Sequence, residues 1–283
     1  MTESLNLVYE KLKDCVHAVQ QQVKFKPKVA LVLGSGLGDY ADEMKIEQSL
    51  AYTEIEDFPV STVPGHQGRF LFGSVRGVPV VAMQGRVHYY EGYDMSDVVL
   101  PVRLMGMLGA GILILTNAAG GVNKSLSPGD LMMITDHVSS FIPSPLTGPN
   151  SKELGVRFPD MSEVYNRDLR ELLLKASKIT GVPLKQGVYV QSRGPAYETP
   201  AETQMYGRLG IDAAGMSTVC EAIAANHMGM KICGISCITN MAAGITDQHL
   251  NHKEVQETAD RVSDDFKSLV TETISMIGDE MIR

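Results

Sequence analysis

The sequence has no run of basic residues, no apolar stretch approaching the roughly 18–20 residues that cross a bilayer, and no cysteine pair at CxxC spacing. With a formal charge of −8 and a pI near 5.4, it repels a phosphate backbone, which excludes nucleic acid as the expected partner. A membrane partner is excluded by the missing span. The four cysteines, at 15, 220, 233 and 237, read as small buried hydrophobes rather than as a disulfide or zinc framework. Histidines at H-x-x-x-H spacing are missing too, so no metal is expected. The first residues, Met1-Thr2-Glu3-Ser4, lack the basic start and apolar stretch of a secretion signal, and the expected location is the cytoplasm.

What is present is a globular composition. Of 283 residues, 44% are hydrophobic and 20% charged, enough apolar material to offset the entropy of ordering the chain. A chain of this size can bury about 75% of its unfolded surface.

Short apolar runs end abruptly in glycine or small polar residues: Val29–Leu33, Val78–Met83, Ile112–Thr116, Leu131–Thr135, Val188–Gln191, Ala213–Met216 and Ile232–Ile238. They read as strands buried on both faces. Phe70–Val75 and Val78–Met83, joined through Arg76-Gly77, suggest a hairpin and therefore a mixed sheet. Helical spacing marks Leu5–Val19, Val98–Leu108, Arg167–Ile179, Ala201–Leu209, Thr218–His227 and one C-terminal helix through Ile277. Thr218-Val219-Cys220-Glu221 has capping-box spacing. The Pro-, Gly- and Ser-rich stretch from Phe141 to Pro159 reads as a long loop. The alternation predicts one α/β domain over residues 1–283, a central mixed sheet flanked by helices.

In such sheets ligands bind beyond the carboxyl ends of the strands. Six of the runs are followed there by small residues and hydrogen-bonding side chains, which points to a polar small-molecule site. Gly34-Ser35-Gly36-Leu37-Gly38 is either a phosphate-cradling turn or a plain tight turn. It is no dinucleotide fingerprint, because Asp39 replaces the third glycine, and no Gly-Lys-Ser/Thr follows it. Arg86 and His88 follow another run and offer donors suited to an anion; the alternative is a surface network of Arg86 with Glu91 or Asp94. Tyr90 pairs a flat apolar body with a hydroxyl. Glu198 and Asn240 fall where a polar side chain needs a partner, either structural or a ligand with ring NH and C=O groups. His66 and His252 are lone histidines. No G-x-S-x-G elbow supports a serine hydrolase.

Taken together, the ordered segments resemble the trimeric purine nucleoside phosphorylases. They are Gly34–Gly38, Val63-Pro64-Gly65-His66, Gln84–Tyr93, Thr116–Gly121, Gly194–Thr199, Gly215–Thr218 and Ile238-Thr239-Asn240, and the resemblance spans roughly residues 25 to 255. It implies a homotrimer that uses inorganic phosphate as co-substrate, needs no metal or organic cofactor, and converts a nucleoside to free purine and α-ribose 1-phosphate. Ser35, His66, Arg86, His88, the backbone of Ala118 and Ser217 would hold phosphate. Tyr90 and Met216 would line the ribose, and His252 would reach its 5′-hydroxyl. Tyr197, Glu198, Thr239 and Asn240 would hold the base, and Phe158 would serve a neighbouring subunit's site. Asn240, Glu198 and His88 are the expected catalytic residues, and Asn240 implies a 6-oxopurine such as inosine or guanosine.

Three departures from that pattern stand out, the first being Asp136–Ile142, which is less typical than the family's Asn-containing loop. Tyr197 stands where many relatives have Phe, and Cys220 replaces a common Pro. The rival readings are a methylthioadenosine phosphorylase, in which position 240 resembles Asp, and a catalytically silent nucleoside-binding protein.

Overall fold

Val29–Leu33 (β1) is buried along its whole length because alternate side chains enter two different cores. Ala30 and Val32 enter, on one side, the core that also takes the buried face of the N-terminal helix α1 (Leu7–Gln22); Val29, Leu31 and Leu33 enter the core on the other. This two-sided burial is the physical content of the unbroken apolar runs. The protein is represented by a computed structural model, which describes residues 7–63, 65–247 and 250–282; Leu5 and the Met1–Ser4 segment lie outside them.

The remaining strands are β2 (Lys45–Ala51), β3 (Arg69–Val75), β4 (Val78–Gln84), β5 (Ile112–Gly121), β6 (Leu131–Val138), β7 (Leu184–Gln191), β8 (Ala213–Gly215) and β9 (Lys231–Met241). They form one mixed sheet in the order β2-β3-β4-β1-β5-β8-β7-β6-β9. Because β9 also pairs with β5, the last five strands close on themselves. The predicted hairpin is β3–β4, and Arg76 and Gly77 both take positive φ in its turn, as a two-residue turn matched to strand twist requires.

The helices after α1 are α2 (Met95–Val98), α3 (Leu100–Met107), α4 (Arg167–Thr180), α5 (Pro200–Arg208), α6 (Val219–His227), α7 (His252–Arg261) and α8 (Ser263–Ile282). α1, α3 and α6 cover one face and α4 and α8 the other. Residues 141–159 contain neither helix nor strand, as their composition implied.

Several expectations need correction. β2 was not anticipated: of its residues only Leu50 is buried, so the segment has no apolar run to betray it. The C-terminal pattern is two helices, with a break at Val262 that lets α7 lie on β9 while α8 crosses β3 and β4. The helix expected over 98–108 breaks at Val99, between α2 and α3. The apolar run Ile112–Thr116 is only the first half of β5, which continues through Gly121, where small residues let β9 and β8 pair on either side. Thr218 caps nothing with its side chain; its φ is 84°, and its hydroxyl accepts instead from Asn117 Nδ2 at 2.9 Å.

Candidate active site

The ends of β1, β4, β7 and β8, with the upper halves of β5 and β9, surround a cavity of about 490 Å³, within the usual size of a small-molecule site. Gly34 makes the first corner possible. A Cβ there would sit 2.7 Å from both Asn117 Cα and Thr116 O, so the turn after β1 can press against β5 only without a side chain. Ser35 follows and lines the cavity.

Arg86, His88, Ala118 and Ser217 line the same cavity. Arg86 is 2% exposed, and its partner is neither Glu91 nor Asp94. Its Nε donates to Glu221 Oε1 at 3.0 Å, with Nη2 and Glu221 Oε2 also 3.0 Å apart. Nη1 donates to Thr116 O at 2.9 Å and to Ser217 Oγ at 3.2 Å. The surface-network alternative is therefore overturned, and the capping-box glutamate has a different role from the one its spacing suggested. A charged residue inside the apolar run of α6 was the signal that it needed a distant partner.

Glu91 ties two loops together. It accepts from His88 N at 2.7 Å and from Thr62 Oγ1 at 2.7 Å, with a further short bond from Thr62 N. Burial alone would raise its carboxyl, yet hydrogen bonds from His88 and Thr62 hold it at about 2. His88 Nδ1 lies 3.3 Å from Glu91 Oε1, so the neutral ring donates there and turns its other nitrogen away. Its ring stacks on Tyr90 at 4.7 Å and on His66 at 5.4 Å.

His66 lines a smaller adjoining cavity rather than the main one. Its Nε2 meets Ser35 Oγ at 3.2 Å and its Nδ1 meets Arg86 O at 2.9 Å, joining the loop after β1 to the loop after β4. Burial, with the nearby His88, pushes His66 down to about 4, and burial also lowers His88. Both rings are neutral near pH 7. Because their folded pKa values lie below the ordinary 6.5, the unfolded chain takes up protons first as pH falls, and stability drops between pH 6.5 and about 4. We expect Tm to decline by several degrees from pH 7 to pH 5, and His66→Asn to flatten that slope. A Tm flat across the interval in differential scanning calorimetry refutes this linkage.

Tyr90, Tyr197, Glu198, Met216, Thr239 and Asn240 also line the main cavity. Gly194 lets Met216 and Tyr90 approach: a Cβ there would lie 2.5 Å from Met216 Sδ and 2.9 Å from Tyr90 Cδ1. Glu198 precedes the capping box of α5, formed by Thr199 and Glu202, which fixes the backbone beside it. Ser192 Oγ donates to Glu198 Oε1 at 2.8 Å. The sequence reading gave Ser192 no role against this carboxylate.

Asn240 owes its orientation to a bulge. β9 pairs Ile238 with Ala119 and then Asn240 with Gly120, leaving Thr239 unpaired. In a regular strand, neighbours point to opposite faces; here Thr239 and Asn240 both reach the cavity. Thr239 Oγ1 donates to Asn240 Oδ1 at 2.9 Å, and Asn240 Nδ2 donates to Met241 O at 3.1 Å. The Met241 carbonyl, which can only accept, thus fixes which end of the amide carries hydrogens, and one N–H of Asn240 stays uncommitted.

The substituted positions are accommodated. Cys220 N, a donor that Pro would lack, donates to Gln191 Oε1 at 3.0 Å. All four cysteines are buried and free. Tyr197 is 39% exposed. His252 opens α7, three residues before Val255, which lines the cavity. Phe158 lies outside the cavity and is 87% exposed. Among the described residues, no helix is long and apolar enough to cross a membrane.

The family model for the phosphorylase superfamily matches residues 28–275. Purine nucleoside phosphorylase 1 of Geobacillus stearothermophilus is 52% identical over 260 residues, covering 89% of this chain and 95% of its own. A Schistosoma purine nucleoside phosphorylase solved with hypoxanthine superposes with a TM-score of 0.90 at 38% identity, covering 96% of this chain and 98% of its own. The Schistosoma mansoni enzyme solved with adenosine gives 0.89 at 39% identity, covering 94% and 96%.

Proposed function

The chain belongs to the phosphorylase superfamily, among the purine nucleoside phosphorylases, and from that membership we propose that it cleaves 6-oxopurine nucleosides, inosine and guanosine, with inorganic phosphate. Enzymes of this family are glycosyltransferases; the substrate preference, a role in purine salvage, a cytoplasmic location and a homotrimeric state are parts of our reading. One observation carries it: a single cavity gathers both the anion-suited set around Arg86 and the amide and carboxylate suited to a heterocycle.

In this reading Ser35, Arg86, His88, Ser217 and the backbone of Ala118 hold phosphate, with His66 supporting Ser35 and His88 Nε2 accepting from the O–H of hydrogen phosphate. Tyr90 and Met216 face the ribose, and His252 serves the 5′-hydroxyl. Tyr197 covers the base, while Glu198 accepts from its ring NH groups. A phosphate oxygen attacks the anomeric carbon as the bond to the purine nitrogen breaks, and the electron pair leaves with the base. Negative charge then gathers on the purine, where the uncommitted N–H of Asn240 meets it. Positive charge develops on the sugar beside the phosphate. Preorganised donors of this kind are worth about 3 kcal/mol each. No enzyme nucleophile and no cofactor is required. Phe158, exposed here, would complete the site of a second copy of the chain.

The test is an assay of base release from inosine, guanosine, adenosine and xanthosine, with and without phosphate. Release of hypoxanthine and guanine only with phosphate is the expected result. Preference for methylthioadenosine would favour the phosphorylase of that nucleoside. Saturable binding without turnover would make the protein a silent binder.

A further inference from the structure

We propose that Glu221 is the positioning residue of the phosphate site: it locks the Arg86 guanidinium in place and sets the charge that an incoming phosphate meets. The inference rests on the reading of Arg86 as a phosphate ligand. Arg86 and Glu221 are 2% and 1% exposed and face each other along two parallel contacts of 3.0 Å. Glu221 projects from an otherwise apolar stretch of α6, among Val219, Cys220, Ala222 and Ala224. A buried ion pair is often no more stabilising than an apolar pair of the same shape, so stability alone gives little reason to bury two charges here.

Geometry gives a better one. A guanidinium has five N–H donors. Glu221 takes the Nε edge, and Thr116 O and Ser217 Oγ take the two hydrogens of Nη1. Three of the five donors are thereby hydrogen-bonded within the protein, Nη2 is held by charge against Glu221 Oε2, and the cation cannot swing toward an anion. The planar fork that would chelate phosphate is already occupied by a carboxylate. Phosphate therefore meets a guanidinium that is already fixed against Ser217 and already balanced in charge. That arrangement favours orientation over tight retention, since a displacement of about 1 Å in a positioned reactant can cost about 10²-fold in rate.

Glu221→Gln keeps the shape and removes the charge. We expect kcat for inosine phosphorolysis to fall about 10²-fold, with the KM for inosine within about threefold of wild type. Phosphate should raise the Tm of the variant more than that of wild type, because it then supplies the missing counter-charge. Glu221→Asp, which keeps the charge but withdraws the carboxylate by one methylene, should lose kcat while leaving the phosphate-induced rise in Tm at the wild-type value. It also serves where the Gln variant does not fold. Wild-type kcat in either variant, or an unchanged phosphate effect on the Tm of Glu221→Gln, overturns the proposal. If instead wild type itself lacks phosphate-dependent cleavage, the reading of the whole site fails, and the two failures are told apart.

Discussion

Replacing Glu198 with Ala should lower kcat/KM for inosine by about 10³-fold or more. The carboxylate lines the cavity, and Ser192 uses only one of its roughly four lone-pair positions. A 6-oxopurine presents its ring N–H to that acceptor. With Ala there, the N–H is desolvated against apolar surface without a partner, the situation in which sites built for hydrogen bonds discriminate by about 10⁴-fold. Stability is not expected to suffer, because Glu198 is not part of either main core and the adjacent Thr199–Glu202 capping box is untouched. Phosphate-induced stabilisation should also survive, since no phosphate-side contact changes. Steady-state kinetics with inosine, alongside calorimetry with and without phosphate, separates these effects. Turnover within tenfold of wild type would remove Glu198 from base recognition.

The strand ends were legible because both faces of β1, β4 and β9 are buried, and burial writes an apolar run into the sequence. The small residues after those runs marked the rim for the same reason: a ligand or neighbouring backbone needs the space. What was hidden depended on pairing at a distance. β2 is an edge strand with an exposed pattern, held by hydrogen bonds to β3 that leave no trace in its own composition. Glu221 and Arg86 are 135 positions apart, and local spacing assigned the glutamate to a capping box. Thr239 looked like the residue after a strand; only the register of β9 on β5 shows it as a bulge that turns Asn240 inward.

That bulge is why Asn240→Asp should reverse the base preference rather than merely weaken binding. Asn240 Nδ2 donates one hydrogen to Met241 O while Oδ1 accepts from Thr239 Oγ1, which leaves the second N–H as the group presented to the purine. An amide donates to the ring nitrogen that gathers charge and tolerates a 6-oxo group beside it. An ionised Asp has no donor and repels that oxygen, so inosine loses both contacts. A 6-amino group can instead donate to the carboxylate, and a protonated Asp can still serve the ring nitrogen. We expect the ratio of kcat/KM for inosine over adenosine to fall by about 10²-fold or more, with adenosine turnover declining as pH rises and the Asp ionises. Asn240→Ala, which offers neither group, should depress both nucleosides and leave their ratio near one. A wild-type ratio in the Asp variant would mean that the base is chosen elsewhere, with Glu198 on the cavity wall, held by Ser192, as the remaining candidate.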